Sequence, residues 1–319
     1  MDIWDVAIIG GGGAGLTAGL YASRANLKTC LFEKINTGGQ ISLTDDVENY
    51  PGFPEVVTGP EIAMKMEEQA KKYGTEIITD EIKSLEEKDG KFILKAFSKE
   101  YYSRTIILAS GASPRKVGVS GERELTGKGV SYCATCDGAF FKNKELVVVG
   151  GGDSALQEGL FLTRFVSKLH IIHRRDKLRA SPILQDRAMK NPKIDFIWDT
   201  VIDAIGGDKK VEYVKLKNVK TNEVRDFKTD GVFVFVGHDP ESKYIGDFVK
   251  LDNHGYVIGD PVTMKTSRPG VFAAGEIRIG AVKQLVTACG EGCTAALSAQ
   301  NYIENLPPLG GSAVAEEAH

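Results

Sequence analysis

Several residue types and patterns are scarce in this chain of 319 residues. The five cysteines are too few, and odd in number, for a disulfide framework, so a close pair among them is catalytic or metal-binding. The 40 basic and 43 acidic residues nearly balance, which leaves no broad footprint for nucleic acid or an anionic membrane. No apolar run approaches the roughly 18 residues of a membrane-spanning helix, and the acidic N-terminus is unlike a secretory signal. We therefore expect a cytoplasmic protein without a nucleic-acid or membrane partner.

Glycine, in contrast, is abundant. The chain has 36 glycines, whereas the usual frequency of about 7% predicts roughly 22. Glycine follows no three-residue period, which excludes collagen, and the 42% hydrophobic and 26% charged residues indicate a folded chain. The length suggests about two domains.

Two segments of the sequence read alike. Each is a short apolar strand followed by a glycine turn, a helical stretch and a second strand, which is a βαβ unit. The first unit consists of Asp5–Ile9, a helix to Arg24 and Thr29–Phe32, and the second of Glu145–Val149, a helix to Arg164 and His170–Ile172.

The glycine turns predict where dinucleotides bind. Their residues are Gly10, Gly12, Gly13, Ala14 and Gly15 in the first unit, and Gly150, Gly152, Asp153, Ser154 and Ala155 in the second. Such glycines allow a tight turn, close approach of a pyrophosphate and tight helix packing, and the helix N-terminus attracts the phosphates. A single turn of this kind is as often an ordinary strand-to-helix connection. Two copies, each in a strand–turn–helix context, favour two dinucleotide sites.

The residue that ends each second strand distinguishes the two sites. Glu33 can accept hydrogen bonds from ribose hydroxyls, so FAD or NAD is expected at the first site. His173, Arg174, Arg175 and Arg179 occupy the equivalent region of the second site and can grip a 2′-phosphate, which favours NADPH. The alternative for this basic cluster is a solvated start of the helix that Pro182 opens.

The two closely spaced cysteines, Cys133 and Cys136, are the expected chemical centre. A pair with this spacing closes a redox disulfide or binds metal. A zinc site would need a second pair, for which Cys289 and Cys293 are the candidates. We expect no metal, because a dithiol beside two dinucleotide sites has a redox role; Cys289, Cys293 and Cys30 are then packing residues.

Asp137 directly follows the cysteine pair. Electrons that enter a disulfide generate thiolates, which a nearby carboxyl group can protonate. The alternative is that Asp137 caps the following turn.

Further elements complete the pattern. Helices are expected at 60–73 and 283–305 and strands at 91–96 and 211–217, with a disordered tail at 307–319. The buried-type strands 105–108 and 231–236 lead to Gly111 and Gly237, each followed three residues later by a proline, where we place the interdomain connections.

Together these motifs give the sequence its resemblance to a known family. The chain resembles the low-molecular-weight, FAD-containing thioredoxin reductases of bacteria and archaea over about residues 3–305. The landmarks are Gly10–Gly15, Gly38–Gln40, Val47–Phe53, Cys133–Gly138, Gly150–Ala155, His173–Arg175 with Arg179, and Ala273–Gly275.

The resemblance implies an α/β fold with two Rossmann-like dinucleotide-binding domains, each a three-layer ββα arrangement. It implies an FAD domain at 1–113 and 241–306, interrupted by an NADPH domain at 114–240 that carries the cysteines. It also implies a homodimer in which the two domains rotate between a state that joins flavin to NADPH and one that joins flavin to the cysteine pair.

The resemblance also implies roles for individual residues. Gln40, Asn49 and Gln284 would lie near the flavin ring, Cys136 would face the flavin, and Cys133 would attack the partner's disulfide. The remaining expected cofactor-binding residues are Gly39, Gly111, Gly275, Glu276, Lys283 and His238.

Two positions depart from the family's usual pattern. Glu276 stands where aspartate is usual, and Lys283 stands where arginine is usual, so a carboxylate and a charge persist but the planar fork of arginine is lost.

The predicted function is an NADPH-dependent thioredoxin-disulfide reductase that passes electrons through FAD and the Cys133–Cys136 pair to thioredoxin. One alternative is a related flavoprotein that serves a glutaredoxin-like protein, a peroxiredoxin, rubredoxin or a small dithiol. Another is a non-catalytic sensor that binds dinucleotides.

Overall fold

The structure is a computed structural model that describes residues 3–43, 46–47 and 49–306. The expected tail at 307–319 lies outside the described residues.

The described chain alternates short strands and helices. The strands are β1 Ile3–Ile9, β2 Thr29–Glu33, β3 Asp46–Val47, β4 Val57–Thr58, β5 Glu76–Thr79, β6 Ile82–Lys88, β7 Lys91–Ala96, β8 Glu100–Leu108, β9 Ala112–Pro114, β10 Val130–Ser131, β11 Glu145–Val149, β12 Lys168–Ile172, β13 Ile194–Ile197, β14 Thr200–Gly206, β15 Tyr213–Asn218, β16 Val224–Lys228, β17 Gly231–Val234, β18 His238–Pro240 and β19 Val271–Ala273. The helices are α1 Gly13–Arg24, α2 Gly59–Lys72, α3 Ala134–Asp137, α4 Asp153–Leu162, α5 Pro182–Met189 and α6 Leu285–Glu304. Short 3-10 turns cover Gly39–Leu43, Gly138–Phe141 and Gly275–Ile277.

The chain divides into two compact units. The first unit comprises the residues up to Ser42, Gly59–Ala112 and the residues from Pro240 onwards. The second unit comprises Leu43–Thr58 and Ser113–Asp239. The segment between β2 and α2 that carries β3 and β4 thus groups with the second unit.

The first unit is built on a seven-stranded sheet. Strands β5, β2, β1, β8 and β19 are parallel neighbours, and β7 and β6 extend β8 as an antiparallel meander. Val6 and Ile8 of β1 pack towards α1 and α6, whereas Ala7 and Ile9 pack in the core on the opposite face. Burial on both faces explains why β1 reads as an apolar run rather than an alternating one.

The second unit repeats this plan. Its parallel sheet has the order β10-β17-β11-β12-β13, and β14-β15-β16 form a separate antiparallel meander. Leu146 and Val148 of β11 face the core that includes residues of α4, and Val147 and Val149 face the core that includes the meander. Both units therefore have meander, sheet and helix layers, which confirms the predicted α/β fold class.

The two connecting segments pair with each other through β9 and β18. On the side of the first unit, the Ser110 hydroxyl donates to the Glu241 carbonyl at 2.8 Å and contacts the phenol of the half-buried Tyr244 at 3.0 Å. On the side of the second unit, Arg115 Nε and an Nη lie 2.7 Å and 2.6 Å from Asp239 Oδ1.

Most predicted elements are present with bounds that differ by a few residues. The helices expected at 60–73 and 283–305 are α2 and α6, and the strands expected at 91–96 and 211–217 are β7 and β15. Cys30 is fully buried, as expected. Cys289 and Cys293 are only half-buried on α6, so they pack less completely than expected.

Candidate functional site

The first glycine turn connects β1 to α1. A Cβ built on Gly15 would lie 1.8 Å from the Gly10 carbonyl oxygen, so only glycine permits this close crossing. A Cβ on Gly12 would meet nothing within 4 Å, and no side chain caps the start of α1. The turn therefore presents an uncapped helix N-terminus beside open space, which fits a pyrophosphate.

Glu33 is fixed against this turn. Its Oε2 accepts the backbone N–H of Gly11 at 2.8 Å, and its Oε1 accepts the N–H of Lys34 at 2.8 Å. A carboxylate offers about four lone-pair directions, so these two bonds leave acceptor capacity for ribose hydroxyls. The geometry agrees with a dinucleotide that has a free 2′-hydroxyl.

Helix α6 packs against the start of α1 within the first unit. A Cβ on Gly292 would lie 2.1 Å from the Ala14 carbonyl oxygen, and one on Gly275 would lie 3.0 Å from the Ala14 Cβ. The Gly275 N–H donates to Glu291 Oε2 at 2.7 Å. Gly275 and the N-terminal half of α6 are therefore held against the start of α1.

Glu291 also forms a largely buried ion pair with Arg278. Arg278, only 5% exposed, donates from Nε and Nη2 to the two carboxylate oxygens of Glu291 at 3.0 Å and 2.6 Å. The neighbouring Glu276 is half-buried, and desolvation raises the pKa of its carboxyl group, which the Lys283 ammonium partly opposes. A carboxyl group perturbed in this way is typical of a functional site.

The other residues expected near the flavin lie in separate segments of the chain. A Cβ on Gly39 would lie 3.2 Å from the Gly12 Cα, Gln40 is exposed in the adjoining 3-10 turn, and Gln284 precedes the first residue of α6. Gly111 follows β8 with a φ of +72°. Asn49 is exposed and belongs to the segment that groups with the second unit.

The second glycine turn connects β11 to α4 in the same way. Gly150 has a φ of +148°, and a Cβ there would lie 2.6 Å from the Phe235 carbonyl oxygen. A Cβ on Gly152 would meet nothing within 4 Å, and no side chain caps α4. Ala155 is fully buried. This turn is also shaped for a pyrophosphate.

The loop that carries the arginines is attached to this turn. The N–H groups of Arg179 and Ala180 donate to the Gly151 carbonyl at 2.7 Å and 3.2 Å, and the Ser181 N–H donates to Asp153 Oδ1 at 2.6 Å. Arg174, Arg175 and Arg179 are exposed, and none of them forms an ion pair with any residue that the structure describes. Three unpaired guanidinium groups beside an open helix start fit a phosphate monoester.

His173 differs from the arginines in its surroundings. Its ring is 5% exposed, lies under Gly151, and has Nε2 3.0 Å from the Lys177 carbonyl oxygen. Burial lowers the pKa of the imidazole most, the positive charges of the neighbouring arginines lower it further, and the Lys177 carbonyl opposes them. A neutral, buried ring of this kind supports the turn.

Cys133 and Cys136 form a disulfide at the start of α3. Both residues are half-buried, and Cys133 Sγ accepts the N–H of Cys136 at 3.2 Å. Among the described residues, no group of three or more His, Cys, Asp or Glu side chains is arranged to hold a metal ion. The arrangement is that of a redox disulfide reachable from solvent.

Asp137 is attached to the strand before the cysteines. The Ser131 hydroxyl lies 2.5 Å from Asp137 Oδ2, and the Cys133 N–H donates to the Ser131 Oγ at 3.1 Å. Asp137 makes no capping bond to the 3-10 turn that follows, so the alternative interpretation of Asp137 as a helix cap is wrong.

A separate anchor holds the residue between Ser131 and Cys133. The Tyr132 hydroxyl donates to Glu122 Oε1 at 2.8 Å. The Glu122 carboxylate, 2% exposed, also accepts the N–H groups of Val117 and Gly118. Burial and the Glu122 carboxylate raise the pKa of the Tyr132 phenol.

Sequence reasoning missed Ser131, Glu122 and the Arg278–Glu291 pair. Ser131 precedes Cys133 by two residues and belongs to no spacing motif. Arg278 and Glu291 are 13 residues apart, so no local pattern indicates their contact. His238, which was expected to bind a cofactor, is half-buried on β18.

Two dinucleotide turns and a redox disulfide define a class of nucleotide-dependent disulfide oxidoreductases, and the comparisons agree. A family model described as pyridine nucleotide-disulphide oxidoreductase matches residues 4–292. The chain therefore belongs to this family.

Individual thioredoxin reductases are similar to this chain over nearly its whole length. A thioredoxin reductase of Bacillus subtilis (strain 168) is 52% identical over 305 residues, covering 95% of this chain and 96% of that protein. A thioredoxin reductase of Listeria monocytogenes is 50% identical, covering 95% of each chain. The crystal structure of thioredoxin reductase from Streptococcus pyogenes MGAS5005 superposes with a TM-score of 0.91 at 44% identity, covering 95% of this chain and 99% of that one.

These findings confirm the resemblance to thioredoxin reductases and the prediction of an NADPH-dependent oxidoreductase. FAD and NADPH are the cofactors of this family, as predicted. No helix within the described residues is long and apolar enough to cross a membrane.

Proposed function

We propose that this chain is a thioredoxin-disulfide reductase that uses NADPH, FAD and the Cys133–Cys136 disulfide. The observation that carries the proposal is the disulfide itself, half-buried in the same unit as a glycine turn flanked by three unpaired arginines. A reducible disulfide and a phosphate-binding turn in one unit fit an electron route that starts at a nucleotide and ends at the cysteines.

The first unit fits FAD. The uncapped start of α1 and the open side of Gly12 would receive the pyrophosphate, and Glu33 would accept bonds from the adenosine ribose. Glu276, held at the corner by Gly275 and Glu291, would face the ribityl chain. Gln40, Lys283 and Gln284 complete the proposed set that this unit would bring to the flavin.

The second unit fits NADPH. Gly152 and the start of α4 would receive the pyrophosphate, and Arg174, Arg175 and Arg179 would bind the 2′-phosphate. Asp153 and His173 act by holding the arginine loop and the glycine turn in place. When bound, the two cofactors supply a hydride from NADPH and an electron pair that FAD delivers to the disulfide.

The cysteines then perform thiol–disulfide exchange. Reduction breaks the Sγ–Sγ bond of Cys133 and Cys136, and the resulting thiolates take up protons with the help of Asp137. The Cys133 thiolate attacks a sulfur of the thioredoxin disulfide, forms a mixed disulfide and displaces the other thioredoxin sulfur as a thiolate. Cys136 then attacks Cys133 Sγ, which releases reduced thioredoxin and restores the disulfide.

The proposal extends to organisation and location. We assign the FAD domain to 1–113 and 241–306 and the NADPH domain to 114–240, with a homodimer in the cytoplasm. The paired segments β9 and β18 would be the hinge about which the two domains rotate.

The test is an anaerobic assay of the purified yellow protein with NADPH or NADH against thioredoxins from the same source. Rapid NADPH-dependent reduction of thioredoxin supports the proposal. Flavin reduction without transfer to any thioredoxin would contradict it.

A further inference from the structure

We infer that Ser131 is a positioning residue for the cysteine chemistry, acting through Asp137. Its hydroxyl joins the Asp137 carboxylate to the Cys133 backbone, so that Asp137 gives and receives protons at the pair from one fixed position. This inference rests on the proposed function, because it assigns a device to the same reaction.

The backbone of Ser131 is held by the sheet. Ser131 is the last residue of β10 and pairs with Phe233 of β17, and its side chain is 5% exposed. A side chain this buried, on a strand paired in a parallel sheet, has few conformations open to it. The Oγ atom is therefore a fixed point beside the cysteine loop.

Three polar groups lie within hydrogen-bonding distance of the Ser131 Oγ atom. Asp137 Oδ2 lies 2.5 Å from Oγ, the Cys133 carbonyl oxygen lies 3.3 Å away, and the Cys133 N–H donates to Oγ at 3.1 Å. A hydroxyl has one proton, and the charged carboxylate at the shorter distance takes it. The Asp137 N–H also donates to the Cys133 carbonyl at 3.2 Å. Ser131, Cys133 and Asp137 are thus joined in a ring of bonds.

This ring determines where the proton moves. When two electrons enter the disulfide, its S–S bond breaks and two sulfur anions form. The Asp137 carboxylate takes up a proton from solvent and passes it to one of these sulfur anions. When the thiol later attacks a disulfide, its proton returns to the Asp137 carboxylate. Ser131 takes no proton in either step, because it fixes the orientation of the carboxylate that does.

The loop has a second anchor that does not use Ser131. Tyr132 is bonded to Glu122, whose carboxylate also accepts two backbone N–H groups. Removal of the Ser131 hydroxyl therefore leaves the strand and the Tyr132 anchor in place, and the loss is local to Asp137 and Cys133.

The test begins with Ser131→Ala in the full-length, FAD-loaded enzyme. Positioned acid–base groups contribute about 10²–10⁴-fold to rate, so loss of the positioning bond should lower kcat with thioredoxin about tenfold. The KM for thioredoxin and the rate of flavin reduction by NADPH should not change. Ser131→Thr keeps the hydroxyl and should restore most of kcat.

The matched control is Ser167→Ala. The Ser167 hydroxyl is also in the second unit and donates to a backbone carbonyl, that of Lys144, but it lies on the exposed surface. This variant should keep the kcat of the unmodified enzyme. FAD content and thermal unfolding of each variant would show whether the fold is intact.

A double-mutant cycle with Asp137→Asn separates positioning from general destabilisation. If Ser131 acts through Asp137, Ser131→Ala should cost less than twofold in the Asp137→Asn background. An equal tenfold cost in both backgrounds, or wild-type kcat in Ser131→Ala, would overturn the inference.

The same variants should also be assayed with a small aromatic disulfide as acceptor. If the unmodified enzyme reduces this disulfide but not thioredoxin, the proposed acceptor is wrong, while the ratio between Ser131→Ala and the unmodified enzyme still tests Ser131. If Ser131→Ala reduces the small disulfide at the same rate as the unmodified enzyme, Ser131 has no positioning role.

Discussion

The Gly151 carbonyl accepts the backbone N–H of Arg179 at 2.7 Å. This bond joins the second glycine turn directly to the loop that carries the three exposed arginines. The proposed sites for a pyrophosphate and for a ribose phosphate are therefore joined by backbone hydrogen bonds, which set the spacing between them.

Loss of the arginine charges should reduce the preference for NADPH. Charge-assisted hydrogen bonds contribute about 1.5–3 kcal/mol each, so Arg174→Ala or Arg179→Ala should lower kcat/KM for NADPH by about 10- to 100-fold and leave that for NADH unchanged. Arg123→Ala, at an exposed arginine of the same unit, is the control. Equal loss with both nucleotides would argue against a phosphate clamp.

Two neighbouring glycines should respond differently to alanine. A Cβ on Gly151 would lie 2.3 Å from His173 Nδ1, so Gly151→Ala should destabilise the fold by about 1–3 kcal/mol through overpacking. A Cβ on Gly152 meets no protein atom within 4 Å, so Gly152→Ala should unfold like the unmodified protein yet bind NADPH more weakly. Thermal unfolding and nucleotide titration measure the two effects. The opposite pattern would contradict the proposed position of the pyrophosphate.

The Arg278–Glu291 pair should stabilise the proposed FAD site around Gly275 and Glu276. Removal of one partner leaves a buried charge without its counter-ion, which costs about 3–5 kcal/mol, so Arg278→Met or Glu291→Gln should lower thermal stability and release FAD. The double variant should recover part of the stability, because neither charge remains. FAD retention after gel filtration is the direct measurement, and full retention in both single variants would exclude this role.

Acid should destabilise the second unit through His173. Burial lowers the pKa of His173 below its usual 6.5, so the unfolded chain binds the proton more readily than the folded one. The contribution of neutral His173 to stability is therefore fully present above pH 6.5. It is lost as the pH decreases from 6.5 through the lowered pKa of the folded state. His170 shifts in the same direction, also by burial, although the Asp195 charge opposes it. His173→Gln should show a smaller loss of melting temperature between pH 7 and pH 5 than the unmodified protein, and an equal loss would contradict this assignment.

Much of this structure could be predicted from local sequence. The apolar runs that became β1 and β11, and the glycine turns after them, indicated both dinucleotide units because strand, turn and helix follow one another within each repeat. Helix α2 was predicted from the helical spacing of its apolar residues. These features depend on residues that are neighbours along the chain.

The supporting contacts could not be predicted in this way. Arg278 meets Glu291, and Gly151 lies on His173, through packing that brings distant residues together. His173 was grouped with the arginines by its position in the sequence, but the structure buries its ring beneath the turn. The bond between Ser131 and Asp137 depends on where β10 ends relative to α3, which no spacing pattern encodes.

The cysteine pair should be needed only for disulfide reduction. Cys133→Ser and Cys136→Ser should each lower thioredoxin turnover by at least about 10³-fold, because no exchange can be completed with one thiol, while flavin reduction by NADPH remains. Cys293→Ser, at a half-buried cysteine outside the pair, is the control and should behave as the unmodified enzyme. Persistent thioredoxin turnover in either variant of the pair would contradict the proposed route.

The most direct measurement follows the electrons to the two sulfur atoms. The FAD-loaded enzyme would be incubated with excess NADPH without oxygen, quenched with acid, alkylated and analysed by peptide mass spectrometry. The proposed route predicts that the flavin colour bleaches and that Cys133 and Cys136 become alkylated together, whereas without NADPH they remain joined as a disulfide. A bleached flavin with an intact Cys133–Cys136 disulfide would contradict it.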